Sequence, residues 1–213
     1  MSHDRPVVCL CGALAGGKTT LIRRLSTALD DAAILLFDEY DAFGEWPENL
    51  ASWLEEGCDP SRVRVPRLCQ DLAALVDGRT VEHPSDGHTV SPSHVVLVED
   101  PFGRTRPDIR SLYDLVLYID LPADLSVARL VRRALGLGLD AADDAFDALE
   151  RDELVARCRT AQGWLANYAV LRDMYTVLAE PVRTTADAIL DGRKPPEELV
   201  AEAMAVFHER GIA

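Results

Sequence analysis

The chain has 213 residues, with 36 acidic and 22 basic side chains and a formal net charge of −14. That length can bury a substantial core without disulfides or structural metal, and 48% hydrophobic beside 27% charged residues places it among globular chains. The acidic balance argues against a nucleic-acid partner, because phosphate contacts need clustered Lys and Arg, yet it leaves room for one small anion in a local basic pocket.

The first residues, Met-Ser-His-Asp-Arg-Pro, carry no basic stretch leading into a long apolar run, so no signal peptide is expected. No stretch approaches the roughly 18 apolar residues of a membrane span. Five cysteines, at positions 9, 11, 58, 69 and 158, lack C-x-x-C spacing, and five histidines lack i, i+4 pairing. A reduced, cytoplasmic protein without structural metal or membrane contact is the expectation. A homo-oligomer is compatible with it.

Pro6 to Cys11 is a short apolar run ending in glycine and predicts a buried strand. Lys18 to Leu29 follows as a helix with Leu21, Ile22, Leu25 and Leu29 on one face. Ala33 to Phe37 predicts a second strand, closed by Asp38. Glu45 to Asp77 predicts two helices broken by Gly57-Cys-Asp-Pro60, and Thr80 to Val90 a hairpin. Val95–Val98 and Leu115–Ile119 are further apolar strands, each ending in an acid. Helices are predicted over Asp124–Leu135, over about 145–178 with a break near Gly163, and from Pro195 to about Glu209 after a strand at Ala188–Leu190. Apolar strands alternating with helices imply an α/β fold, a parallel sheet of about five strands covered on both faces. Without linker or repeat, residues 1–213 read as one domain, with a substrate-side insert at about 45–92 and a mobile lid at about 124–145.

Between the first strand and helix, Gly12-Ala-Leu-Ala-Gly-Gly17-Lys18-Thr19 fits G-x-x-x-x-G-K-[ST] in the context that motif needs. Such a loop curls backbone N–H groups around phosphate oxygens and adds the positive end of the helix dipole. Gly12, Ala13, Ala15, Gly16, Gly17, Lys18, Thr19 and Thr20 are therefore the expected nucleotide contacts. Lys18 would reach the β and γ phosphates, and the Thr19 hydroxyl would hold Mg2+. Glu99 closes the apolar strand Val95–Val98 and is the expected second acid of the metal site, ahead of its neighbour Asp100.

No Asn-Lys-x-Asp segment is present, which argues against a GTPase. Arg129, Arg132 and Arg133 stand at i, i+3 and i+4, so they share one helical face that could clamp a transferring phosphoryl group. Gly136-Leu-Gly138 follows as a hinge, while Asp140, Asp143, Asp144 and Asp147 read as a solvated face. Asp38 is the general-base candidate, with Glu39 and Asp41 as competitors from the same loop.

These residues together resemble the uridine kinase and phosphoribulokinase superfamily of P-loop kinases. The resemblance rests on Gly12 to Thr19, on Phe37-Asp38-Glu-Tyr40, on the helix ending at Gly78 with the Thr80–Val90 stretch after it, on Val98-Glu99, on Asp114 to Pro122, on the three lid arginines and on Ala186-Asp-Ala-Ile189. It implies ATP with Mg2+, phosphorylation of a primary hydroxyl, Asp38 as catalytic base, lid arginines on the phosphates and the Ala186 segment beside the adenine. The pattern departs where the acceptor is chosen. The acid that uridine kinases carry near the start of the helix ending at Gly78 falls near Arg64, amid Arg62 and Arg67, and the hairpin has His83 and His88 but no aromatic. Tyr40, Phe43, Trp46 and Trp53 lie between the second strand and this helix, and the two tryptophans either stack on a ring or pack on the core. Candidate acceptor contacts are Asp38, Tyr40, Trp46, Arg64, Arg67 and His83, and the arginine cluster points to an anionic substrate or product. A nucleoside-type acceptor is favoured. The alternatives are a kinase for another small metabolite (sugar, vitamin precursor or antibiotic) and an inactive nucleotide-binding regulatory module.

Overall fold

A computed structural model of the chain describes residues 4–136 and 149–213. Strand β1 (Val7–Gly12) leads into α1 (Lys18–Ala28), then β2 (Ala33–Leu36) and the single turn α2 (Phe37–Tyr40). Helices α3 (Leu50–Glu55) and α4 (Pro66–Val76) precede two short strands, β3 (Val81–Glu82) and β4 (Thr89–Val90). The chain continues through β5 (Val96–Glu99), β6 (Leu115–Asp120), α5 (Ala123–Ala134), α6 (Arg151–Thr184), β7 (Ala188–Asp191) and α7 (Pro196–Arg210). Five strands form one parallel sheet in the order β2-β5-β1-β6-β7, and β3 pairs antiparallel with β4.

Side-chain alternation along β1 explains the two-faced core. Val7, Cys9 and Cys11 point to one side, where Leu68, Leu72 and Leu75 of α4 and Val182 of α6 pack. Val8 and Leu10 point to the other, against Leu21, Ile22 and Leu25 of α1 and Leu199, Ala203 and Phe207 of α7. Cys9 and Cys11 are free, buried thiols, acting as small apolar residues.

Two elements differ from the sequence reading. Strand β2 stops at Leu36, and Asp38 sits in the helical turn after it rather than at the strand end. Helix α6 runs unbroken through Gly163, whose Cβ position is open space, and reaches six residues past Leu178 despite Pro181. One exposed glycine costs a helix only about 1 kcal/mol, which a helix of 34 residues tolerates. Helix α5 is as expected, but most of the expected lid tip, with Gly138 and the acids at 140, 143, 144 and 147, lies outside the described residues.

Candidate functional site

Strand register gathers the candidate residues. Glu99 pairs with Leu10 of β1 and with Leu36 of β2. The turn after β1, the turn carrying Asp38 and the end of β5 therefore leave the sheet at one level, at its carboxyl edge, where open α/β sheets bind ligands.

The loop at 12–19 has the backbone such a motif requires. Gly12 has φ +137°, and a Cβ there would lie 2.4 Å from the Ile119 carbonyl oxygen. Gly17, at φ +90°, precedes α1 without any side-chain cap, and no acid stands in that helix's first turn. The first N–H groups of α1 thus keep their positive end for a ligand, which suits phosphate. The Thr19 hydroxyl donates to Glu99 Oε2 at 2.7 Å, and Lys18 Nζ lies 3.7 Å from Glu99 Oε1. Lys18 also donates to the carbonyls of Ala13 and Gly12 at 3.1 and 3.3 Å. A buried Ser126 on α5 donates to the Leu14 carbonyl and fastens the loop from outside.

This loop opens on a cleft of about 660 Å³ that also receives Asp38, Asp41, Trp46 and Glu99. Among the described residues, no hydrogen bond or ion pair engages the carboxylate of Asp38. Glu39, one of its two competitors, is turned away and holds His83 Nε2 at 2.7 Å. Asp100 is also removed from the cleft: it is fully buried, taking Arg106 Nη2 and the Tyr113 hydroxyl, both at 2.7 Å.

The aromatic residues separate cleanly. Trp53 is fully buried and donates its indole N–H to the Asp59 carbonyl, so it is core. Trp46 lines the cleft and makes edge and tilted contacts with Phe37 and Phe102, each with centroids 6.2 Å away. Tyr40 is fully buried, its hydroxyl donating to Asp71, and burial together with that carboxylate pushes its pKa up. It does not line the cleft.

The basic candidates lie elsewhere. Arg62 pairs with Glu56, Arg64 with Glu45, and Arg67 with Asp71 and the Glu82 carbonyl, and none of them lines the cleft. His83 sits outside it as well. On α5, Arg129 donates to the Gly192 carbonyl at 2.8 Å, Arg132 is half-buried and Arg133 is exposed. None of the three is on the cleft wall.

The wall facing Asp38 comes instead from α6. Tyr168, Arg172, Tyr175, Ala179 and Val182 follow i, i+4, i+7, i+11, i+14 spacing and line the cleft as one helical face. Tyr175 is held above its ordinary pKa by burial and then by the charge of Asp38. At the other end, Tyr118, Asp120 and Leu121 meet Arg183, whose Nε lies 3.5 Å from Asp120 Oδ2. Ala186 packs on the core beneath rather than lining the cleft. The aromatic and basic residues of α6 recur at helical spacing in the sequence, but so do its apolar ones, and only the docking of α6 on β1 and α5 tells the faces apart.

No protein-family model matches the chain. It is similar to curated uridine kinases: 25% identical to that of Macrococcus caseolyticus, with 86% of each chain covered, and 24% to that of Halalkalibacterium halodurans, with 98% of each covered. A solved structure described as a possible uridine kinase from Bacillus stearothermophilus is 20% identical, covers 90% of this chain and 91% of that one, and superposes with a TM-score of 0.47. A solved sugar kinase from Janibacter is 19% identical over 94% and 93%, with a TM-score of 0.44. The chain thus carries a G-x-x-x-x-G-K-[ST] loop on a five-stranded parallel sheet and is similar to uridine kinases along most of both chains.

Proposed function

We propose that the protein is an ATP-dependent kinase that transfers the γ-phosphoryl group to a hydroxyl of a small acceptor, a nucleoside-type acceptor being favoured. The observation that carries this reading is one cleft holding an unengaged carboxylate, Asp38, together with Lys18 and Glu99 of the phosphate-loop end. Thr19 and Glu99 offer hydroxyl and carboxylate oxygens 2.7 Å apart, a donor set that fits Mg2+. When bound, the ion supplies charge neutralisation on the phosphate oxygens.

The chain's own groups do the rest. Backbone N–H groups of 12–19 and Lys18 hold the donor phosphates, and Lys18 exchanges its loop carbonyls for phosphate oxygens. Asp38 orients the acceptor hydroxyl and takes its proton as the new O–P bond forms and the bond to the leaving ADP oxygen breaks. Trp46, Phe37 and Phe102 give the acceptor an apolar face to lie on, and α6 excludes water from the opposite side. The whole chain serves as one unit in this reading, and Arg129, Arg132 and Arg133 reach the phosphates only if α5 moves.

One observation favours an acceptor other than a nucleoside. The first turn of α4 carries no acid to bind ribose hydroxyls. An ATP-consumption screen over nucleosides, sugars, vitamin precursors and aminoglycosides therefore tests both readings, with Lys18→Ala as blank. Turnover with at least one hydroxylated acceptor, reduced at least a hundredfold in Lys18→Ala, is expected. Tight ATP binding without turnover on any acceptor would point to a regulatory module instead.

The screen also decides where an anionic acceptor is met. Both Arg172 and Arg64 are exposed and stand 3.6 Å from an acid, Asp173 and Glu45 respectively, but only Arg172 stands on the cleft wall. Arg172→Ala should raise KM for a charged acceptor about tenfold, the scale of a charge-assisted hydrogen bond. Arg64→Ala should leave it within twofold. The reverse pattern would place the acceptor on the α4 side.

A further inference from the structure

We propose that His83, Asp86 and His88, on the turn between β3 and β4, form a binding site for one divalent transition-metal ion of the zinc class. The site is separate from the cleft and does not depend on the phosphotransfer reading.

The turn brings the three side chains together. His83 N–H donates to the His88 carbonyl at 2.8 Å and Gly87 N–H to the His83 carbonyl at 2.9 Å. Gly87 has φ +74°, which lets the chain double back. Asp86 Oδ1 then lies 3.3 Å from His83 Nδ1 and 2.6 Å from His88 Nδ1, and one ligand atom from each residue falls within 4.8 Å of the others. The two imidazoles are stacked, centroids 4.4 Å apart. Tetrahedral zinc with bonds of about 2.0–2.1 Å separates its ligands by about 3.4 Å. The His83–Asp86 pair already has that spacing. The His88–Asp86 pair is closer, at 2.6 Å, and the exposed His88 ring is free to adjust as an ion enters.

The second observation concerns the tautomer of His83, a ring only 7% exposed. Its Nε2 faces Glu39 Oε2 at 2.7 Å, and an ionised carboxylate only accepts, so Nε2 carries the hydrogen. Its Nδ1 receives Ser85 N–H at 3.4 Å, which again requires a lone pair there. The Ser85 hydroxyl, 3.0 Å from Nδ1, is the partner an ion would replace. A carboxylate behind one imidazole nitrogen and a lone pair presented by the other is the arrangement that orients metal-binding histidines. Two imidazoles and one carboxylate suit zinc, nickel or copper, whereas Mg2+ requires oxygen ligands. The absence of i, i+4 histidines did not reveal this set, because the ligands stand at i, i+3 and i+5 of a turn. An ion there would fasten the hairpin, through His83 and Glu39, to the turn that carries Asp38.

The test is Zn2+ binding measured by competition with a chromophoric chelator, in excess Mg2+ so that oxygen sites are filled. The wild-type protein should hold one Zn2+, and Cys158→Ser, which removes the exposed thiol, should hold it equally well. His88→Ala and Asp86→Ala, both at exposed positions, should each weaken it at least tenfold, and Glu39→Gln about 10–100-fold. Zn2+ should also raise the melting temperature of the wild type but not of His88→Ala. No Zn2+ bound in excess Mg2+, or wild-type affinity in either His88→Ala or Asp86→Ala, overturns the proposal.

Discussion

Asp38→Asn is expected to lower kcat by about 10²–10⁴, the usual contribution of a positioned general base, while ATP affinity stays within about twofold. The amide has nearly the size and shape of the carboxylate and cannot take the acceptor's proton. The side chain is exposed to the cleft, and among the described residues its replacement breaks no hydrogen bond or ion pair, removing only the charge that Tyr175 faces. Asp41→Asn is the matched control. Asp41 also faces the cleft but belongs to the next turn of the chain, and its variant should keep kcat within about tenfold. Single-turnover transfer and nucleotide titration on the two variants check this. The larger loss in Asp41→Asn would move the base to position 41, and equal losses would show that Asp38 is not the sole base.

What the sequence made legible follows from how local each signal is. The phosphate loop is a contiguous string whose glycines answer to backbone constraints close by, such as the Gly12 approach to Ile119 on the neighbouring strand. Glu99 and the five strands were legible because a parallel sheet covered on both faces demands continuous apolar runs, with polar side chains only where the strands end. The cleft wall opposite the loop was less legible because its residues converge from distant elements. Three arginines close in sequence at 62, 64 and 67 looked like a basic patch, yet each meets an acid: Arg67 pairs with Asp71 one turn along the same helix, Arg62 with Glu56 six residues back, and Arg64 with Glu45. Trp46 and Trp53 are seven apart, and only tertiary packing sends one to the cleft and the other into the core. Arg172 and Tyr175 carried no motif at all. Their position depends on α6 crossing the cleft, far along the chain from Asp38. Periodicity identifies a helical face, but not what that face meets.

Asp100→Ala is expected to destabilise the protein by about 3–5 kcal/mol, because it strands a buried charge. Arg106 is fully buried, and its charge survives there against the burial because Asp100 lies 2.7 Å from Nη2. Its Nε and Nη1 make no hydrogen bond among the described residues. The guanidinium carbon instead stands 5.4 Å from the ring centre of Phe37 and 5.6 Å from that of Phe102, close enough for cation–π attraction to offset part of the desolvation. The same carboxylate accepts the Tyr113 hydroxyl, and burial with that neighbouring charge holds the phenol far above its ordinary pKa, so it remains a donor. Removing Asp100 thus leaves three buried donors unmet: Arg106 Nη2, the Tyr113 hydroxyl and the Phe102 backbone N–H. For a chain of this size each 1 kcal/mol moves the melting temperature by about 2–4 °C, so a fall of about 6–20 °C is expected. Replacing both partners, as Asp100→Leu with Arg106→Met, should recover most of it, since neither charge then needs a partner. The effect reaches the cleft because Phe37 and Phe102 flank the guanidinium and also line the cleft. Asp100→Ala should therefore raise the acceptor KM more than the ATP KM at temperatures where it stays folded. A loss below about 1 kcal/mol would show that Arg106 finds another partner or water, and that the aromatic wall of the cleft does not rest on this ion pair.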